Sequence, residues 1–270
     1  MNSIWKGKKI TLSNGKTVVE KPSLVPLITL IILIFTVISM KVTKFDFYAL
    51  ATRGDQFFVI LKGMFPPDLS FLDRVWAPLF DTIKMSLLGS LVGAIVSVPL
   101  ALLASANIVH SKLITGFFKL LFSILRTLPT IVTALIATFI FGLGTMAGTL
   151  AIFIFTLAYV GKLTYEQIES LDMSTFEALE SMGLTRFQAF RYAIVPEILP
   201  TFLSTTLFNF EGNLRYASIL GYVGAGGLGI ILNEQLGWRE YGNVGTILVV
   251  LIISVAIIES ISEYARKKLQ

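Results

Sequence analysis

The chain has 270 residues, of which 54% are hydrophobic and only 14% are charged, with a formal net charge of +5 and a mean hydropathy of +0.78. Soluble domains carry about 25% charged residues, so this composition excludes a soluble enzyme, a nucleic-acid-binding domain and a disordered chain. The absence of cysteine and the single histidine, His110, exclude a disulfide scaffold, a thiolate zinc site and a histidine-based metal site. The composition predicts an all-α polytopic membrane protein.

Apolar stretches predict about six membrane-spanning helices, because roughly 20 helical residues cross a hydrocarbon core of about 30 Å. The glycine-rich stretch 142–148 divides an uncharged run that is too long for one span, and it predicts a hairpin. The predicted spans are residues 22–40, 79–106, 113–141, 147–163, 197–221 and 241–258.

The distribution of lysine and arginine predicts the orientation of these spans. The basic residues are more frequent in the segments that lie inside if the N-terminus is inside. The positive-inside rule therefore places both termini in the cytoplasm. Within the second span, Gly89 and Gly93 form a small-xxx-small pattern, which favours close packing of helices.

The cytoplasmic loop between the fourth and fifth spans, residues 164–196, is polar but patterned. Residues 174–177 fit a capping box that begins a short helix, and Gly183 stands where a C-terminal cap needs a left-handed backbone. Residues 185–188 fit a second capping box and begin a second helix. We expect a rigid projecting element, although a membrane-surface amphipathic turn is an alternative. Its predicted apolar face is formed by Phe176, Leu179, Met182, Phe187 and Phe190.

This loop resembles the "EAA" coupling motif of ABC-importer permeases, which has Glu-Ala-Ala, a glycine six residues after the glutamate, and then Ile-x-Leu-Pro. Four residues match at the family's spacing: Glu177, Ala178, Gly183 and Pro196. Three positions differ by an apolar replacement: Leu179 for alanine, Ala193 for isoleucine and Val195 for leucine. The resemblance implies that this loop, with Glu180, binds a cytoplasmic ATPase and transmits its nucleotide-driven closure to the membrane helices.

The resemblance extends from about Phe71 to the C-terminus and is strongest to the phosphonate-importer branch, the PhnE type. The segments that carry it are residues 82–89, 99–104, 126–129, 142–144, 161–169, 213–215 and 221–229. It implies a type I ABC importer permease fold in a prokaryotic cell membrane. It also implies three kinds of partner: a second permease copy, two ATPase subunits at the cytoplasmic face and an extracytoplasmic substrate-binding protein.

The implied function is the import of phosphonates or related small phosphorus oxyanions. Methionine, a quaternary amine, phosphate or phosphite are alternative substrates, and an ion-gradient secondary transporter is an alternative of a different class. The predicted organisation is a cytoplasmic tail at 1–21, a first helix at 22–42, an external or interfacial segment at 43–77, the permease core at 78–264 and a cytoplasmic tail at 265–270. The external segment is rich in aromatic residues, which predicts a short amphipathic helix at the membrane interface.

Three charged residues inside predicted spans are candidates for the translocation path, because an intramembrane charge is costly and often functional. Glu211 and Arg215 stand four residues apart, so an intrahelical ion pair is one hypothesis. The other hypothesis is that Arg126 or Arg215 forms a basic lining for an oxyanion.

Two glycine patterns resemble nucleotide-binding motifs without their context. Gly224, Gly226 and Gly227 lie in a G-x-G-x-x-G run that follows a membrane helix rather than a strand, so they predict a lining or gate of the path, or an ordinary outer loop. Residues 15–17 lack the first glycine of a P-loop, so we expect the ATPase on another polypeptide. No catalytic residue, metal site or cofactor is predicted.

Overall fold

The computed structural model describes residues 9–11, 15, 17–19 and 24–269. Most of the predicted cytoplasmic tail at 1–21, part of the pattern at 15–17 and residue 270 lie outside the described residues. Two short antiparallel strands pair with Ile10 opposite Val18, and they are β1 (Lys9–Thr11) and β2 (Thr17–Val19).

Helices make up most of the described chain, as predicted. They are α1 (Val25–Val42), α2 (Phe47–Gly63), α3 (Leu72–Ala104), α4 (Lys112–Thr127), α5 (Thr130–Phe141), α6 (Thr145–Ser170), α7 (Ser174–Ser181), α8 (Arg186–Ala189), α9 (Val195–Leu220), α10 (Leu228–Trp238) and α11 (Tyr241–Leu269). Short 3₁₀ turns cover Leu69–Phe71 and Gly221–Val223, and a π-helical turn covers Phe190–Ile194.

The chain divides into two compact units, residues 1–59 and residues 60–270. In the first unit, α1 is apolar all round and buries none of its side chains, as expected for a helix that faces lipid. The helix α2 confirms that the segment after α1 is helical, while its place at the membrane interface remains a prediction.

The second unit is built around α3, α6 and α9. Gly89 and Gly93 of α3 face α6, where a Cβ would lie 2.8 Å from the carbonyl oxygens of Thr149 and Phe153. The small-xxx-small pattern is therefore confirmed as a packing site, because only glycine lets the two backbones approach this closely. Small residues occupy most of the other buried positions of α3, which include Ser86, Ser90, Ala94, Ser97 and Ala101.

Among the described residues, five helices are long and apolar enough to cross a membrane, and there are six crossings if α4 and α5 count as one bent span. The predicted third span, 113–141, is broken into two helices, because α4 and α5 meet at 90°. The backbone is extended at Leu128 and Pro129, with ψ of 119° and 134°. Proline disfavours helical backbone at the residue before it, which explains the break.

Three spans are longer than predicted. The helix α3 begins at Leu72 rather than residue 79, α6 continues to Ser170 rather than 163, and α11 continues to Leu269 rather than 258. The predicted ends follow the hydropathy, which falls at charged and polar residues. The helices continue past these residues, beyond the uncharged run. Residues 164–170, predicted as part of the loop between the fourth and fifth spans, are therefore the last turns of α6.

Candidate functional site

The loop between α6 and α9 folds as two short helices around a glycine corner. Gly183 follows α7 with a φ of +91°, so the predicted left-handed conformation is confirmed. Its amide donates to the carbonyl of Glu180 at 3.0 Å, and the amide of Leu184 donates to the carbonyl of Leu179 at 3.2 Å. A Cβ on Gly183 would meet nothing within 4 Å, so the backbone conformation alone favours glycine here.

The second predicted capping box is confirmed. The amide of Thr185 donates to the side-chain oxygen of Gln188 at 3.0 Å, and the amide of Gln188 donates to the hydroxyl of Thr185 at 3.4 Å. These bonds satisfy two amides that the start of α8 would otherwise leave unpaired. The cap sets the direction in which α8 leaves the corner.

The first predicted capping box is wrong. The amide of Glu177 donates to the carbonyl of Met173 rather than to Ser174, which lies inside the first turn of α7. The N-cap residue is Met173, and the carboxylate of Asp172, which precedes it, accepts from the amide of Ser174 at 3.0 Å. This bond, together with the hydroxyl of Ser174, holds the pKa of Asp172 below its ordinary value.

The apolar residues of the loop face two directions. Phe176 is buried and belongs to a cluster with Ile168, Ile194 and Ile198, which joins the loop to the ends of α6 and α9. Leu179 and Phe190 pack against this cluster. Only part of the predicted apolar face is therefore exposed. The large apolar or aromatic residues that remain exposed in the loop are Met182, Phe187 and Tyr192.

A polar contact holds the glycine corner against the turn between α3 and α4. The guanidinium of Arg186 lies 3.1 Å from the carboxylate of Glu180 and 3.2 Å from Nε2 of His110, in the turn between α3 and α4. In the same turn, the amide of Ala106 donates to the carboxylate of Glu169 at 2.7 Å. These contacts join positions far apart in the chain, so local sequence patterns did not predict them.

The predicted coupling residues lie together on this element. Glu180 is half-buried in its ion pair. Pro196 occupies the first turn of α9, as predicted, directly after the π-helical turn Phe190–Ile194. The exposed members of the predicted set are Glu177, Ala178, Gly183 and Pro196.

The predicted intrahelical pair between Glu211 and Arg215 is wrong. Glu211 is 3% exposed and pairs with Arg266 of α11 at 3.2 Å. Arg215 is exposed and lies beside a cavity of about 460 Å³. Arg126 is exposed in the last turn of α4 and does not line this cavity. Of the three charged residues predicted from the sequence, Arg215 therefore lines the cavity, whereas Glu211 and Arg126 do not.

The glycine run after α9 forms a turn that packs within the chain. The carbonyl of Gly224 accepts from the amide of Gly144, at the tip of the hairpin between α5 and α6, at 2.9 Å. A Cβ on Gly226 would lie 2.7 Å from the amide of Thr145. Gly227 has a φ of +71° and precedes α10. The role of this turn in the path or its gate remains a prediction.

A hydrogen-bonded network joins the three central helices α3, α6 and α9. The side-chain amide of Asn213 donates to Ser90, Thr156 and Asn209 at 2.8, 2.9 and 2.9 Å. The hydroxyl of Thr156 also donates to Asn209 at 2.8 Å. All four side chains are buried, so each bond forms where water cannot replace it. Among the described residues, no cluster of His, Cys, Asp or Glu could hold a metal ion.

Comparisons with known proteins agree with this architecture. The putative phosphite transport system permease protein HtxC of Stutzerimonas stutzeri is 29% identical over 96% of this chain and 92% of its own length. The phosphite transport system permease protein PtxC of the same organism is 32% identical over 75% of this chain and 74% of its own length.

The fold also matches a solved structure, an inward-facing conformation of the MetNI methionine ABC transporter. The TM-score is 0.67 at 21% identity, and the match covers 75% of this chain and 99% of that chain. A family model described as "Binding-protein-dependent transport system inner membrane component" matches residues 97–267. The chain therefore belongs to the family of binding-protein-dependent transport system inner membrane components and has the fold of a type I ABC importer permease.

Proposed function

We propose that the chain imports phosphonates or related small phosphorus oxyanions, such as phosphite. The observation that carries this proposal is the match to a putative phosphite permease along nearly the full length of both chains. A second phosphite permease, 32% identical, supports the same substrate class. The family implies a substrate-binding protein and an ATPase as partners.

We infer that this chain contributes no ATPase site and that two copies of it assemble with two ATPase subunits and one binding protein. Both termini and the loop between α6 and α9 would then lie in the cytoplasm. The binding protein would deliver substrate from the other side, to a path between the two permeases. Arg126, Glu211, Arg215 and the turn at Gly224–Gly227 remain candidates for the lining or the gate of that path.

The loop is our candidate for the coupling element. Its exposed side chains Met182 and Phe187 flank Gly183, and such an apolar patch on a cytoplasmic surface favours a protein partner. On its other side, Phe176 is buried against the ends of α6 and α9. A force applied to the exposed side would therefore reach two membrane helices through packed side chains.

The experiment is ATP-dependent uptake of phosphite and methylphosphonate into proteoliposomes that contain the permease, its ATPase and its binding protein. We expect uptake by the wild type and at least a tenfold loss in Phe187→Glu, because a carboxylate replaces the apolar contact. The ATPase should also fail to copurify with this variant. Ser111→Glu adds the same charge to an exposed cytoplasmic residue outside the loop and should keep at least half of the uptake.

Two results would contradict the proposal. Uptake of a different solute, with none of either phosphorus oxyanion, would exclude the proposed substrate class. Normal uptake and ATPase copurification in Phe187→Glu would exclude coupling through this part of the loop.

A further inference from the structure

The cavity beside Arg215 has the chemistry of an anion site. Residues of α6 and α9 line this cavity. Its volume of about 460 Å³ is within the size range of small-molecule sites. Aromatic rings form its walls: Phe155 stacks on Tyr159 with centroids 5.8 Å apart, and it meets Tyr216 edge to face at 6.3 Å. Arg215 is the cation among its lining residues.

Arg215 lies within a helix that is long and apolar enough to cross a membrane. Asn213, two residues before it, bonds to Ser90, which is about 27 Å from one end of α3 and about 21 Å from the other at 1.5 Å per residue. Arg215 itself is about 7.5 Å from the end of α9 at Leu220.

The guanidinium of Arg215 has no acidic partner within 4 Å among the described residues, whereas the neighbouring Glu211 is paired with Arg266. An exposed cation without an acidic partner is costly to leave facing lipid on a membrane-spanning helix. We therefore expect the face that carries Arg215 to line water, a partner or an anionic ligand.

The buried network provides a second donor. Asn209 lines the cavity, and its side-chain oxygen accepts bonds from Thr156 and Asn213. Because its oxygen faces the network, the side-chain nitrogen of Asn209 is directed away from it. Asn209 is 5% exposed, so its donor is held in place by packing. One charged and one neutral donor thus border the same cavity.

We propose that Arg215 and Asn209 bind a small phosphorus oxyanion in the cavity lined by α6 and α9, as a substrate site within the permease. This inference rests on the proposed function. Arginine presents two parallel N–H groups that match two oxygens of such an anion. The aromatic walls lower the local dielectric, which strengthens this charge–charge attraction, and they offer an apolar surface to the substituent of a phosphonate.

The test uses the complete transporter in proteoliposomes, with phosphite as the probe. We expect Arg215→Gln to lower the initial rate of uptake at least tenfold, and Arg215→Lys to lower it less, because lysine keeps the charge but loses the paired donors. Lys84→Gln is the matched control. Lys84 is also an exposed cation on a spanning helix, but it lies outside this cavity and 3.7 Å from Asp81. Its uptake should stay within twofold of the wild type.

Direct binding separates a site from a structural role. Phosphite is titrated against the permease–ATPase complex without the binding protein, and the broadening of its ³¹P resonance is measured. Broadening by the wild type and by Lys84→Gln, lost in Arg215→Gln, is the expected result. Copurification of each variant with the ATPase shows that it is folded.

Uptake and broadening by Arg215→Gln within twofold of the wild type would overturn the site while leaving the proposed function intact. Altered oligomeric state in Arg215→Gln with normal phosphite broadening would assign this face to subunit contact instead. A wild-type transporter that imports another solute but no phosphorus oxyanion would overturn the proposed function, and the ligand of this site with it.

Discussion

The side chains of Arg266 and Lys267 are adjacent in the last turns of α11, yet their ion pairs differ in burial. Arg266 pairs with Glu211, whose side chain is 3% exposed, and its guanidinium also lies 5.8 Å from the ring centroid of Phe208. Lys267 pairs with Glu263, and both of these side chains are exposed. A buried carboxylate that loses its partner is an uncompensated charge, whereas an exposed one is solvated by water.

We therefore predict that Arg266→Gln lowers the free energy of unfolding by about 3 kcal/mol. Lys267→Gln, the matched control, should change it by less than about 0.5 kcal/mol. Thermal unfolding of the purified chain in detergent measures both. Equal melting temperatures for Arg266→Gln and the wild type would show that the pair does not contribute to stability.

Residues whose role depends on neighbours in the chain could be predicted from the sequence, and those whose role depends on distant residues could not. Gly183 and Thr185 follow local rules for ending and starting a helix, and both predictions are confirmed. Arg266 lies 55 positions after Glu211, so spacing along one helix favoured the wrong partner, Arg215. The hydrogen bond at the start of α7 has a local signal, because Asp172 stands two residues before Ser174.

At the scale of elements, the contact between α3 and α6 depends on two glycines. A Cβ on Gly93 would lie 2.8 Å from the carbonyl oxygen of Phe153, and this backbone atom cannot move without displacing α6. Gly116 of α4 has open space within 4 Å of a Cβ. The same substitution should therefore have opposite effects at the two positions.

Gly93→Ala is expected to destabilise the chain by about 1–3 kcal/mol through overpacking. Gly116→Ala should be neutral or stabilise it by up to about 1 kcal/mol, because alanine has the higher helix propensity. The midpoints of thermal unfolding in detergent compare the two variants. A lower midpoint for Gly116→Ala than for Gly93→Ala would contradict the close approach of α3 and α6.

The break between α4 and α5 could not be predicted from the hydropathy pattern. Residues 127–141 are uncharged and apolar, so they extend the predicted span without interruption. The conformational signal was Pro129, which favours an extended backbone at Leu128. The angle of 90° between the helices depends on how α4 packs against α3 and α6, and a sequence pattern contains no such information.

At the scale of the whole molecule, the orientation in the membrane is a prediction from charge that labelling can test. The chain has no cysteine, so single cysteines can be introduced without first removing any. Ser181, in the loop between α6 and α9, and Ser70, before α3, are exposed serines that the predicted topology places on opposite sides.

In intact cells or spheroplasts, a membrane-impermeant maleimide should label Ser70→Cys but not Ser181→Cys. After permeabilisation, both variants should be labelled to the same extent. Labelling of Ser181→Cys in intact cells would invert the topology and would place the proposed coupling element away from any cytoplasmic ATPase.

The amide of Asn213 also restricts how this sequence can diverge. Its two N–H donors are shared among acceptors on α3, α6 and α9, so a change of shape or polarity at any one of these positions alters buried contacts on all three helices. A substitution that persists at Asn213 or at one of its partners therefore needs compensating substitutions on two or three helices within a short evolutionary interval. Among descendants of this sequence, the residues at positions 90, 156, 209 and 213 should therefore either stay unchanged or be substituted together.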